Sequence, residues 1–154
     1  SILKGMAEIV NVSVESLETI NFNSGGAQWV IKNPRAEYWK KVYFDSNRLY
    51  QYFKKVNSNI QKWTAEMWAQ LWNMMYFNVG PKIHEELSFC FSTDSIEKCK
   101  QVKILHNAGV TEKDRDLFFK GKYVDTSPFE DDLSFVNKRK ASAKYVEAIK
   151  RVSR

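Results

Sequence analysis

With 154 residues, 44% apolar and 27% charged, the chain can bury a core of its own and is too hydrophobic to be a disordered tail. Its formal net charge of +6 favours anionic partners such as nucleotide phosphates, nucleic acid or anionic lipid, although the charge is spread along the sequence. No apolar run approaches the roughly 18 residues that a membrane span needs, and no secretion or lipidation signal is visible, which is the expectation for a cytoplasmic protein.

Residues 1–20 carry no strong turn signal, and the chain starts at Ser1 without Met, as a piece of a longer protein would. Residues 19–32 read as strand, glycine turn and strand. Gly25 and Gly26 allow positive φ or a close backbone approach, and Trp29, Val30 and Ile31 are strand formers. Asn33 and Pro34 then read as N-cap and first residue of a helix. Tyr38, Trp39, Val42, Tyr43, Leu49, Tyr50, Phe53 and Val56 recur at helical spacing along it, opposite Lys40, Lys41, Arg48 and Lys54.

A second helix is predicted over 63–77, capped by Thr64 and ended near Gly80 and Pro81. Apolar residues nearly encircle it, so Glu66 stands out, because a buried carboxylate needs a partner or a polar cavity. Leu87, Phe89 and Phe91 alternate with Ser88 and Cys90 as a half-buried strand, with Cys90 a buried thiol. Residues 95–100 suit a short helix and 102–105 a second strand. Residues 111–121 form a polar loop or short helix, and 137–154 hold a basic amphipathic helix. Strands and helices mix without a clean βαβ rhythm, so the fold class is mixed α+β, or the second half of an α/β domain, with 1–154 as one domain. Two cysteines are too few for a disulfide scaffold and fit no zinc spacing, which suits a reducing compartment.

Candidate chemistry is local. His106 follows a strand directly, where sites in α/β folds gather, and imidazole is a common metal ligand; a lone histidine is as readily structural. Glu66 suits a general base if partly desolvated, and equally a carboxylate favoured by a helix N-terminus. Gly25, Gly26 and Gln28 suit ligand contact or a tight hairpin, and Lys120 with Gly121 suits a phosphate contact or a surface loop. Dinucleotide, P-loop, zincin, CxxC and nucleophile-elbow motifs are absent. The acidic runs at 114–116 and 130–132 lie in polar loops and are expected to be solvated.

In order, Gly25-Gly26-Ala27-Gln28, Tyr38-Trp39, Trp63-Thr64-Ala65-Glu66-Met67-Trp68, Leu87-Ser88-Phe89, His106-Asn107-Ala108-Gly109-Val110 and Phe119-Lys120-Gly121 resemble the C-terminal, acceptor-side half of a GT-A glycosyltransferase domain. The similarity is to sugar transferases of bacteria and large DNA viruses and covers roughly 21–128. It implies a nucleotide-sugar donor such as a UDP-sugar, a carbohydrate or glycoconjugate acceptor, and a divalent metal, Mn²⁺ or Mg²⁺. His106 would be a metal ligand, and Glu66 the general base of an inverting transfer. Gly25, Gly26, Gln28, Trp63, Trp68, Asn107, Gly109, Lys120 and Gly121 would lie about donor and acceptor. His106 and Gly109 match the His-x-x-Gly pattern of such enzymes, while the spacing on to Lys113 or Lys120 departs from it. The nucleotide-binding first half with its Asp-x-Asp motif is not in these residues and would be a partner. The alternative is a non-catalytic carbohydrate- or nucleic-acid-binding module using aromatics and basic charge.

Overall fold

The computed structural model describes residues 1–20 and 28–152. The expected turn glycines Gly25 and Gly26 lie outside the described residues. The chain, read above as one domain, divides into two compact units, Ser1–Ile83 and His84–Arg154. Helices and a small parallel sheet are both present, in keeping with a mixed α and β chain. No helix among the described residues is long and apolar enough to cross a membrane.

The first unit is helical. Residues 1–20, which showed no turn signal, form α1 (Ile2–Val10) and α2 (Val14–Thr19). The punctuation is carried by polar residues rather than by Gly or Pro. Asn11 takes the left-handed conformation at φ 61, which Asn tolerates, and Val12 N donates back to Ala7 O at 3.0 Å. Ser13 Oγ then caps α2 by accepting from Ser16 N at 3.1 Å. The strand expected at 29–31 is not paired in a sheet; Trp29 and Ile31 pack onto the helical core with Val30 exposed between them.

The long helix α3 (Ala36–Lys55) starts later than Asn33 suggests. Asn33 is itself left-handed at φ 47, and Arg35 takes the N-cap position without a side-chain bond. Its buried face is Tyr38, Val42, Asp45, Leu49 and Phe53. Trp39, Tyr43 and Tyr50, grouped with that face by spacing, are exposed, because they lie at its margin and beyond. A 3₁₀ turn, Lys62–Thr64, leads into α4 (Ala65–Tyr76). Thr64 does not cap it. Its Oγ1 donates to Gln61 O at 2.6 Å and accepts from Trp68 Nε1 at 3.1 Å. At the other end Asn78, at φ 56, supplies the left-handed turn expected of Gly80, and Val79 N donates to Met74 O at 2.7 Å.

One buried carboxylate ties these helices. Asp45, 2% exposed, lies 2.5 Å from Lys41 Nζ and 3.5 Å from Arg48 Nη1, and accepts from the fully buried Asn73 Nδ2 at 3.0 Å. Lys41 is thus not on the solvated face. It also donates to Val10 O at 2.7 Å, while Arg48 donates to Ile9 O at 3.0 Å, so both cations sit where the α1 carbonyls end.

The second unit holds β1 (Phe89–Phe91), α5 (Ile96–Lys100), β2 (Ile104–His106) and α6 (Ser142–Val152). The strands are parallel, pairing Phe89 with Ile104, Cys90 with Leu105 and Phe91 with His106. Parallel pairing needs a crossover, and α5 supplies it, capped by Ser95 Oγ accepting from Lys98 N at 3.2 Å. The strand alternates as expected: the Cys90 thiol is fully buried, as its place in the run suggests, while Phe91 of the apolar set is exposed. Burial, with the Cys99 thiol beside it, pushes the Cys90 thiol up to about 12. α6 is basic outside and buries Val146 and Ile149 against Phe118, Leu133 and Val136.

Replacing Asp45 by Ala removes the carboxylate from the buried cluster and leaves Lys41 Nζ only Val10 O and Asn73 Nδ2 only Ala69 O as acceptors. The change is expected to cost about 3 kcal/mol, read as a lower midpoint in chemical denaturation. A thiol reagent at pH 8 is expected to leave Cys90 unmodified until the protein is unfolded, because its thiolate is scarcely populated; mass spectrometry of the native and denatured protein checks this.

Candidate functional site

The C-terminal ends of two parallel strands are where an α/β sheet offers backbone and side chains to a ligand. Here β1 runs into Ser92, Thr93 and Asp94, and β2 ends on His106 and runs into Asn107 and Gly109. The His106 ring is half-buried between two phenylalanines, its centroid 5.4 Å from that of Phe89 and 5.6 Å from that of Phe91. Register places it there, since Phe91 is its partner across the strand pair.

Asn107 is bound on one side only. Its Oδ1 accepts from Ser92 Oγ at 2.6 Å, while its Nδ2 is buried without a partner among the described residues. Whichever way the amide is turned, one polar atom is left over, an arrangement that costs free energy unless something else meets it. Ala108 N donates to His106 O at 2.7 Å, folding the chain sharply after the strand. Gly109 follows at φ 82 and is exposed; an added Cβ would meet Thr93 at an ordinary 3.8 Å, so conformation rather than space requires glycine.

The strand ends are braced from behind. Ser92 is fully buried, and its O accepts from Ser142 N at 3.0 Å. Ser142 Oγ in turn accepts from Phe118 N at 2.8 Å. Lys140 Nζ donates to Thr93 O at 3.0 Å. Asp94 Oδ2 accepts from Lys98 Nζ at 2.7 Å and from Phe91 N at 2.8 Å, and these bonds hold its carboxyl below the usual aspartate range. Ser92, Asp94 and Ser142 were not singled out from sequence. The polar run after Phe91, "STD", was the available signal, as a strand-end cluster of short side chains that bond backbone.

Further along, a cleft of about 330 Å³ is lined from Thr111 to Tyr123 and by Phe135. Gly121 belongs to its wall. Lys120 begins the 3₁₀ turn Lys120–Tyr123, is exposed, and is not among the lining residues.

The remaining candidates lie in the first unit. Gln28 is half-buried. Trp63 is 62% exposed, and Trp68 is half-buried with its indole N–H on Thr64. Glu66 is exposed in the first turn of α4, where the apolar girdle of the helix opens, which is the helix-N-terminus alternative rather than the desolvated one. His106, Asn107, Gly109, Lys120 and Gly121 all belong to the second unit, with the first three contiguous at one strand end. His106 provides one imidazole. Among the described residues no group of three or more His, Cys, Asp or Glu side chains is placed to hold a metal.

No protein-family model, curated protein or solved structure matches the chain, and the functional reading rests on its residues and geometry.

Removing the Ser92 hydroxyl leaves both polar ends of the Asn107 amide unmet. Ser92→Ala is expected to cost about 1–2 kcal/mol in chemical denaturation, with amide exchange at residues 106–109 quickening more than at α6.

Proposed function

We propose that the chain is the acceptor-side part of a metal-dependent glycosyltransferase, moving a sugar from a nucleotide-sugar to a hydroxyl acceptor. The observation that carries this is the strand end itself: a half-buried imidazole, an amide with an unmet polar atom and a left-handed glycine, contiguous at the C-terminal end of a parallel strand. A divalent metal, Mn²⁺ or Mg²⁺, would supply Lewis-acid neutralisation of the leaving diphosphate of a UDP-sugar. In this reading His106 would supply one imidazole nitrogen to that metal. The Asn107 amide bonds an oxygen of the donor, and the exposed backbone at Gly109 lets the diphosphate approach. Lys120 adds a compact cation and Gly121 an open backbone.

In the first unit, Glu66 is solvent-facing and would act as general base only where a bound acceptor or the partner half desolvates it, and Trp63 offers a ring to a sugar face. The remaining metal ligands and the nucleotide pocket belong to the first half of such a domain, a partner in this reading. The acceptor is a carbohydrate or glycoconjugate.

A second reading, a non-catalytic binder of carbohydrate or nucleic acid, is favoured by the exposed rings of α3. Tyr43 is 66% and Trp39 44% exposed, and Lys54 Nζ lies 5.8 Å from the Tyr50 ring centroid.

The two readings separate in one experiment. With Mn²⁺ and a panel of nucleotide-sugars, the transferase reading expects a rise in Tm of about 3 °C or more, absent without metal and lost in His106→Ala. A shift that survives His106→Ala, or binding only to single-stranded nucleic acid with steep salt dependence, sinks it.

A further inference from the structure

The cleft of the second unit has a chemistry of its own. Three rings line it, those of Phe119, Tyr123 and Phe135. Two are held before any ligand arrives. Tyr123 stacks on the buried Phe118, with ring centroids 5.2 Å apart and 5° between planes, and its hydroxyl donates to Asp131 at 2.9 Å. The Phe119 ring lies against the backbone at Gly121, where a Cβ would overlap it. Rings ordered in advance cost little further entropy on binding.

The polar groups divide into committed and free. Asp114 Oδ2 accepts from both the N–H and the hydroxyl of Thr111 at 2.8 Å. Lys122 Nζ is held by Asp131 at 2.8 Å, a bond that raises the lysine and lowers the aspartate from their ordinary values. Glu112 and Arg115 line the same cleft and have no side-chain partner among the described residues. One carboxylate and one guanidinium therefore stand ready, an acceptor and a fork of donors.

The charge balance decides which ligand they suit. With Lys122 neutralised by Asp131, Glu112 and Asp114 outnumber Arg115. A phosphate or carboxylate would meet two carboxylates for one guanidinium, despite the net charge of +6 on the chain. A neutral polyhydroxylated ring fits better. Its C–H face packs on the aromatic wall, its hydroxyls donate to Glu112 and accept from Arg115, and the volume lies within the range of small-molecule sites.

We propose that this cleft binds a neutral pyranose unit of an oligosaccharide. The proposal deepens the transferase reading by naming an uncharged glycan as acceptor. It rests on that reading for the role of the sugar and not for its binding.

The test is titration of the isotope-labelled full chain, without metal or nucleotide-sugar, followed by NMR. The probes are cellotriose, maltotriose, chitotriose and mannotriose, with trigalacturonic acid and inorganic phosphate as charged comparisons. At least one neutral trisaccharide is expected to shift the resonances of Arg115, Phe119 and Tyr123. Glu112→Gln and Arg115→Gln, both at exposed positions, are each expected to weaken that binding by about tenfold while leaving signals elsewhere unchanged. Silence from all the neutral trisaccharides, stronger shifts with the charged probes, or undiminished affinity in both variants overturns the proposal. Sugar binding that persists while a metal-dependent nucleotide-sugar shift survives His106→Ala would sink the transferase reading alone.

Discussion

A polar group taken out of water has to be bonded, and in each unit one such group organises its surroundings. In the first it is Asp45. Its carboxylate is nearly sealed and draws two cations and an amide to itself; the same cations then reach the last carbonyls of α1. Apolar packing among α1, α3 and α4 would be satisfied by many small rotations of the helices. The bonds from Asp45 are directional and admit few. In the second unit Ser92 has the corresponding place. Its carbonyl receives α6, and its hydroxyl reaches across from the end of β1 to the Asn107 that follows β2.

That arrangement explains how so short a parallel pair can present a defined strand end. Three residues a side is little sheet, and parallel pairing needs support from outside the ladder. The support comes from the segment before α6. Ala141 N bonds Asp94 O at 2.9 Å, Ile96 N bonds Arg139 O at 2.9 Å, and Lys140 Nζ bonds Thr93 O. His106 and Asn107 are therefore held by a brace more than thirty residues downstream. The one polar atom that the brace leaves unmet, on the Asn107 amide, sits at the strand end rather than in the core behind it.

Aromatic residues divide by the same logic. Tyr38 is buried with its hydroxyl on Gln70 O at 2.8 Å, and burial pushes its phenol up to about 12. Tyr123 is pinned by stacking and by Asp131, and so serves as a wall. Trp39, Tyr43 and Trp63 remain in solvent. A high aromatic content thus corresponds to three different jobs, and only the partner of each ring tells them apart. Charge behaves likewise. The excess of lysine and arginine describes the chain as a whole, whereas the cleft between Thr111 and Phe135 is locally short of positive charge once Lys122 is paired.

Much of the local structure was legible in the sequence. Helical spacing marked α3 and α4, residues 95–100 suited the short helix that is α5, alternation marked β1, and the apolar run before His106 marked β2. The reason is that these signals are set by periodicity within a few residues. The helices of residues 1–20 were missed because Asn11 and Ser13 do the work usually assigned to Gly and Pro. Phe91, grouped with the apolar residues of β1, is exposed because alternation gives the period and not which side is covered. Lys41 is misplaced for the same reason: the helix wheel cannot say where a neighbouring helix lies, so the lysine expected outside is bound to a buried aspartate, and of the two environments open to Glu66 the solvent-facing helix start is the one found. The sequence by itself determined most elements from α3 onward, their order and the chemistry available at the end of β2. Tertiary structure alone decided which polar groups are buried, which of them are satisfied and which rings line a cleft, because burial and bonding depend on residues far apart in the chain.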